Sequence, residues 1–336
     1  MVKITDVARH AGVSPSTVSY ALSGKRPISE ETRRRVEEAV RLLGYRPHAD
    51  ARALAGGGSN VLALVMPLRT GVDVPVVMQF AVSVVTTARR HGHDVLLLTR
   101  EEGEEGLRRA VDTALVDGLI VMDVQLDDPR PGLLRSLGRP SVMIGFPADP
   151  EGLTCVDLDF QAAGEACVEH LARLGHRVVA LVGSPPEVYV RGTAFAQRVV
   201  RGFTAAADRG RLTSAVHPCE ASPTAVRALA ERLLREQPAL TGVVVHNEAV
   251  LAPLIDAFEE LGLRVPADLS ITAICPDDLA ASLRVPVTSI ALPAADVGAR
   301  AVDLLMRKLA GKAVPEATLL APGMTERGST GRRAVA

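Results

Sequence analysis

From Val61 onward, short unbroken apolar runs alternate with longer stretches whose apolar residues recur every three or four positions. The runs are Val61–Met66, Asp94–Leu98, Gly118–Met122, Ser141–Ile144, Val178–Val182, Gly242–Val245 and Leu269–Ile274. Helical spacing marks Met78–His91, Gly106–Val116, Gln161–Leu174, Ala225–Glu236, Val250–Leu261 and Ala294–Leu309. Continuous Val/Leu/Ile runs have no polar face, so they predict parallel strands covered on both sides by helices. The body is therefore expected to be α/β and large enough for two doubly wound lobes.

The first 46 residues follow a different pattern. Thr5 is expected to cap a helix over Asp6–Ala11, and Gly12 to end it in the left-handed conformation. Ser14 and Pro15 suit the cap and first position of a second helix, Pro15–Leu22. A third, Glu30–Leu43, has Ser29 before it and Gly44 after it. Val7, Val13, Val18 and Leu22 are expected to form the buried seam. Two short helices joined by a Gly-containing turn and backed by a third predict a helix-turn-helix unit. Small polar residues (Ser16, Thr17, Ser19) on the open face of the second helix suit contact with a DNA groove.

Charge sharpens the division. The 336 residues carry a formal net charge of −1. Residues 1–58 hold ten Lys/Arg and six Asp/Glu, so the head is basic and the remainder acidic. Such asymmetry predicts a polyanion partner for the head. An apolar content of 47% supplies a sizeable core. No apolar run approaches the roughly 18–20 residues of a membrane span, and no signal peptide is read, so a cytoplasmic protein is expected. Cys155, Cys167, Cys219 and Cys275 are too scattered for a metal or disulfide framework, and no cofactor is expected. Nor is there a nucleophile elbow, an H-E-x-x-H helix or a Walker loop, which argues against an enzyme.

The stretch Ile4-Thr5-Asp6-Val7-Ala8-Arg9-His10-Ala11-Gly12-Val13-Ser14-Pro15-Ser16-Thr17-Val18-Ser19-Tyr20-Ala21-Leu22 closely resembles the head of the lactose/galactose repressor (LacI/GalR-type) family of bacterial transcriptional regulators. Further landmarks are Leu43-Gly44-Tyr45-Arg46-Pro47, Leu174-Gly175-His176-Arg177, Val265-Pro266-Ala267-Asp268-Leu269-Ser270-Ile271 and Arg327-Gly328-Ser329-Thr330. The resemblance implies a head over residues 1–46, a hinge helix and linker over 47–60, and a periplasmic-binding-protein-like body over 61–336. Crossovers between its lobes are expected near 158–162, 288–293 and 322–326.

It also implies site residues. Pro15, Ser16 and Tyr20 stand at the base-reading positions of the recognition helix. Thr5, Arg9, Thr17, Ser19 and Tyr45 are candidate phosphate contacts. Ala51 and Leu54 stand where the family's hinge helix enters the minor groove and wedges a base step apart. Asp159, Tyr189, Arg191, Phe195, Arg198, Asn247 and Asp277 are candidate effector contacts in the cleft. Where the family usually has a pocket arginine this chain has Val199, with Arg198 one residue earlier, and Leu292 replaces a common glutamine.

The expected function is a repressor acting as a homodimer on double-stranded DNA at a pseudo-palindromic operator. Its affinity would be set allosterically by a small-molecule effector, a sugar or sugar derivative being favoured. An effector-independent DNA-binding regulator and a cytoplasmic small-molecule binding protein are the alternatives.

Overall fold

The computed structural model describes residues 2–23, 26–45, 58–69, 71–100, 104–112 and 116–333. The expected hinge positions Ala51 and Leu54 lie outside them.

In the head, α1 (Ile4–Ala11), α2 (Pro15–Ser23) and α3 (Glu30–Leu43) enclose a small core of Val7, Ala8, Ala11, Val18, Val36, Ala39 and Tyr45. Gly12 and Gly44 end α1 and α3 at φ 65° and 61°, where a side chain would be strained. Ser14 Oγ accepts from the Thr17 amide at 3.1 Å and Ser29 Oγ from the Thr32 amide at 3.3 Å, as N-caps do. Two expectations are corrected. Thr5 lies inside α1 rather than capping it, because the Asp6 carboxylate reaches back to accept from the Lys3 amide at 2.9 Å. Leu22 does not join the seam and is 41% exposed.

The body has two six-stranded sheets. In the first, β1 (Val61–Val65), β2 (Asp94–Leu98), β3 (Gly118–Val121), β4 (Ser141–Ile144), β5 (Cys155–Leu158) and β11 (Ala317–Leu320) run parallel in the order β11-β5-β4-β3-β1-β2. In the second, β6 (Val178–Gly183), β7 (Thr213–Pro218), β8 (Gly242–Val245), β9 (Ser270–Cys275), β10 (Thr288–Ala291) and β12 (Met324–Thr325) lie in the order β12-β10-β9-β8-β6-β7. Only β12 is antiparallel to its neighbour. The chain passes between the sheets after Leu158, after Ala291 and after Leu320. Three crossings therefore join the two lobes.

Helices cover both faces of each sheet. The first lobe carries α4 (Val74–Arg90), α5 (Glu104–Asp112), α6 (Arg130–Ser136) and α13 (Ala294–Leu309). The second carries α7 (Phe160–Arg173), α8 (Pro186–Val190), α9 (Ala194–Gly210), α10 (Pro223–Glu236), α11 (Glu248–Glu260) and α12 (Asp277–Ser282). Alternation along each strand splits the apolar runs between two cores: Leu62 and Leu64 face one side, Ala63 and Val65 the other. Helices α7 and α9 cross closely enough that a Cβ on Gly202 would lie 2.0 Å from the Gln161 carbonyl oxygen.

The carboxyl-terminal landmark residues stitch the second lobe. Ser329 Oγ accepts from the Thr288 amide at 2.8 Å and donates to the Ile271 carbonyl at 2.6 Å. His170 bonds Thr330, and His176 bonds both Thr241 and the Gly331 carbonyl. Burial holds the His176 imidazole neutral, its pKa down at about 4, so both conspicuous histidines are structural.

Candidate functional site

A cavity of about 290 Å³ opens between the lobes. Its walls come from residues just beyond the carboxyl ends of parallel strands: Met66 and Pro67 after β1, Met122 and Asp123 after β3, Gly145 after β4, Ser184 after β6, His246, Asn247 and Glu248 after β8, and Leu292 after β10. Doubly wound folds place ligands at that end, because the loops there diverge at the crossing of two strand orders. Backbone hydrogen bonds close one side: the Ala194 amide donates to the Val124 carbonyl at 2.9 Å, and the Leu126 amide to the Gly192 carbonyl at 2.8 Å.

Most of the lining is apolar, with Val72, Val76, Val77 and Phe80 from the first lobe and Val188 from the second. One wall is an aromatic group. Phe160, Phe195 and His246 meet pairwise with ring centroids 5.6–5.7 Å apart, the Phe195–His246 pair edge to face. His246 is 3% exposed, its Nδ1 has no hydrogen-bond partner among the described residues, and burial lowers its pKa to about 4.

Four carboxyl groups share this wall space. Asp73 caps α4 by accepting from the Val76 amide at 3.2 Å. Asp123, held at φ 53°, pairs with Arg69 at 3.2 Å. Asp157 accepts from the Leu158 amide at 2.9 Å. Burial raises its pKa to about 7 against the pull of that amide and of Arg198. Glu248 is likewise raised to about 7, first by burial and then by the negative charge of Asp73 from the opposite lobe.

The structure brings Arg191, Phe195 and Asn247 to the cavity and leaves four other expected contacts outside its lining. Asn247 spends its amide nitrogen on the Gly183 and Cys219 carbonyls, at 3.3 and 2.8 Å. Asp159 caps α7, accepting from the Ala162 amide at 3.0 Å. Tyr189 packs against Gly183, where a Cβ would strike its hydroxyl, and burial pushes that hydroxyl up to about 12. Arg198 stacks over Phe146, 5.5 Å from the ring centroid, behind Asp157. Asp277 begins α12 and pairs with Arg327 at 2.5 Å, which ties down the carboxyl-terminal segment. Sequence reasoning passed over Asp73, Asp157, Phe160, His246 and Glu248; for all but Asp157, which lies inside β5, position just after a strand or at a helix start beside one is the signal that could have found them.

In the head, Thr5, Arg9, Pro15 and Ser16 are exposed, and Thr17, Ser19 and Tyr20 are half-buried. The Arg26 guanidinium lies 5.2 Å from the Tyr20 ring centroid, so these two present one surface. Thr17 Oγ1 is engaged by Ser14 Oγ at 2.9 Å. Tyr45 is 5% exposed, its ring belongs to the head core, and burial raises its pKa.

Residues 3–48 match the bacterial regulatory proteins of the lacI family, and residues 168–330 a periplasmic binding protein-like domain. The chain is 30% identical to the HTH-type transcriptional regulator AglR of Rhizobium meliloti (strain 1021), over 98% of this chain and 94% of that one. It is 26% identical to the ribose operon repressor of Escherichia coli (strain K12), over 98% and 100%. The lac repressor dimer bound to operator and the anti-inducer ONPF superposes with TM-score 0.79 at 25% identity, covering 98% of this chain and 99% of that one.

Proposed function

The chain belongs to the lacI family of bacterial regulatory proteins and is a DNA-binding transcription regulator, and we propose that it represses from a pseudo-palindromic operator whose affinity is set by a small metabolite in the interlobe cavity. The observation that carries this reading is the position of the cavity. Both lobes wall it beside the three crossings, so a ligand touching both changes their relative setting and with it the spacing of two heads. The relatives named as repressors, and the lac repressor seen with operator and a small molecule, support the same mechanism.

In the head, α2 enters the major groove, with Pro15, Ser16 and Tyr20 at base edges and Thr5, Arg9, Thr17 and Ser19 near phosphates. Pro15 has no side-chain donor, so sequence discrimination rests on Ser16, the Tyr20–Arg26 surface, the hinge positions Ala51 and Leu54, and the shape of the DNA. Two heads require two copies. Val74, Met78, Val82 and Val85 form an exposed apolar row along one face of α4, with Leu97 also exposed on the same lobe. That row suits burial against a second subunit.

Among the described residues no helix is long and apolar enough to cross a membrane. A regulator that meets DNA works in the cytoplasm, and this chain binds rather than transforms its ligand. The test is selection of duplex DNA from a random pool by the full chain. Recovery of a two-fold related motif supports the reading, and recovery of unrelated sequences at equal affinity opposes it.

A further inference from the structure

Ligand class is written in the charges of the cavity. Asp123 is matched by Arg69. Asp157 has Arg198 behind it and an amide hydrogen bond, and among the described residues Arg191 is the one arginine in the wall. Asp73 and Glu248 are the remaining carboxyl groups. They belong to opposite lobes, and among the described residues no side-chain cation pairs with either. Asp73 still has an oxygen beyond the one accepting from the Val76 amide.

A second observation points to a ligand at the same place. His246 lines the cavity next to Glu248, almost wholly buried, with Nδ1 unpartnered among the described residues. A buried imidazole nitrogen without a partner costs free energy that a bound hydroxyl or amine would recover. Phe160 and Phe195 flank it and give a ring something to pack against.

We propose that the ligand of this cavity is a compact ring compound carrying a protonated amine, held between Asp73 and Glu248 with its ring against Phe160, Phe195 and His246. The proposal rests on the reading of the cavity as the effector site. Once both are ionised, two carboxylates of like charge on opposite lobes oppose closure unless a cation lies between them. An ammonium group between them turns repulsion into two attractions, so the charge that gives affinity also draws the lobes together. Anionic ligands, sugar phosphates included, meet the same two carboxylates as a barrier.

Proton linkage follows from the same arrangement. Burial and the charge of Asp73 hold Glu248 up at about 7, and a cation beside it lowers that value. Near pH 6, amine binding therefore releases a proton.

Isothermal titration of the full chain tests this with aminohexoses and arylethylamines as probes, against their neutral isosteres and hexose 6-phosphates. The expected result is at least tenfold tighter binding of an amine than of its neutral isostere. Glu248→Gln and Asp73→Asn should each lower amine affinity at least tenfold and change the neutral compound by less than threefold. Asparagine keeps the α4 cap, so the second variant folds. In buffers of different ionisation enthalpy at pH 6, the wild type should show proton release that Glu248→Gln lacks. Tighter binding of a neutral compound or phosphate overturns the inference and leaves the cavity as an effector site. Silence across the panel also overturns it, and the cavity's role is then decided by the operator measurement that closes the Discussion.

Discussion

Asp277 and Arg327 form an ion pair of 2.5 Å that ties the start of α12 to the segment after β12. The two ends are unequal: the Asp277 side chain is 54% exposed and the Arg327 side chain 13%. Arg327 also donates to the Val287 carbonyl at 3.0 Å and to Ser289 Oγ at 2.8 Å. Asp277→Ala should therefore cost under about 1 kcal/mol, as exposed ion pairs do. Arg327→Ala removes a buried donor from several acceptors and should cost about 1–3 kcal/mol. Urea unfolding measures both. Ligand affinity should survive in Asp277→Ala, and its loss would return Asp277 to the binding site.

Cavity carboxyls make stability depend on pH with a definite sign. Glu248 keeps its proton to about 7 in the folded chain, against an ordinary value of 4.5. The folded state binds more protons between those values, so Glu248's contribution is full below 4.5 and is lost as pH rises through 7. Asp157, raised from 3.8 to about 7, acts in the same direction. His246, lowered from 6.5 to about 4, acts in the opposite one, its contribution fading as pH falls from 6.5 towards 4. Glu248→Gln should match the wild type near pH 4.5 and be more stable at pH 8 by about 1–3 kcal/mol. A difference that does not vary with pH contradicts the assigned burial.

The α7–α9 crossing depends on two glycines. A Cβ at Gly202 would lie 2.0 Å from the Gln161 carbonyl oxygen, and one at Gly164 would lie 2.6 Å from that of Val199. Backbone cannot yield as a side-chain end can, so each alanine variant should lose about 1–3 kcal/mol or more through forced separation of the helices. Thermal unfolding reads this directly; a variant with unchanged Tm would mean that the helices are not seated as described.

Salt and substitution separate two classes of DNA contact. Because the head is basic and the body acidic, operator affinity should fall about a thousandfold or more between 50 and 200 mM salt. Arg9→Ala should weaken binding to all sequences alike, whereas Tyr20→Ala should reduce discrimination between the selected site and its single-base variants by about 1–3 kcal/mol. Filter binding at several salt concentrations checks both. Equal loss of discrimination in the two variants would contradict their separate roles.

Elements with long apolar runs or strong caps were legible from the chain. Glu30–Leu43 between Ser29 and Gly44, and the strands Asp94–Leu98, Ser141–Ile144 and Gly242–Val245, stand at their expected bounds. Strands β5 and β7 were not. β5 has four residues including a buried Asp157, and β7 is a half-buried edge strand rich in polar residues. Helix α9 is absent from the expected helices, and its Gly202 is a packing device where the helix crosses α7. The cavity was legible only in part. Asp73 and Glu248 are 175 positions apart, and nothing in their spacing shows that two lobes bring them to one cavity.

The most direct test is fluorescence anisotropy of the selected operator duplex with the full chain, with and without a saturating cavity ligand. Ala249→Trp serves as the blocked control, because Ala249 is an exposed residue at the cavity rim and a large ring there fills space without disturbing the core. The ligand should change the wild-type operator Kd by about tenfold or more. Ala249→Trp should bind operator with unchanged affinity and show no response. A full response in Ala249→Trp, or an operator affinity that no cavity ligand alters, would contradict control of the head from between the lobes.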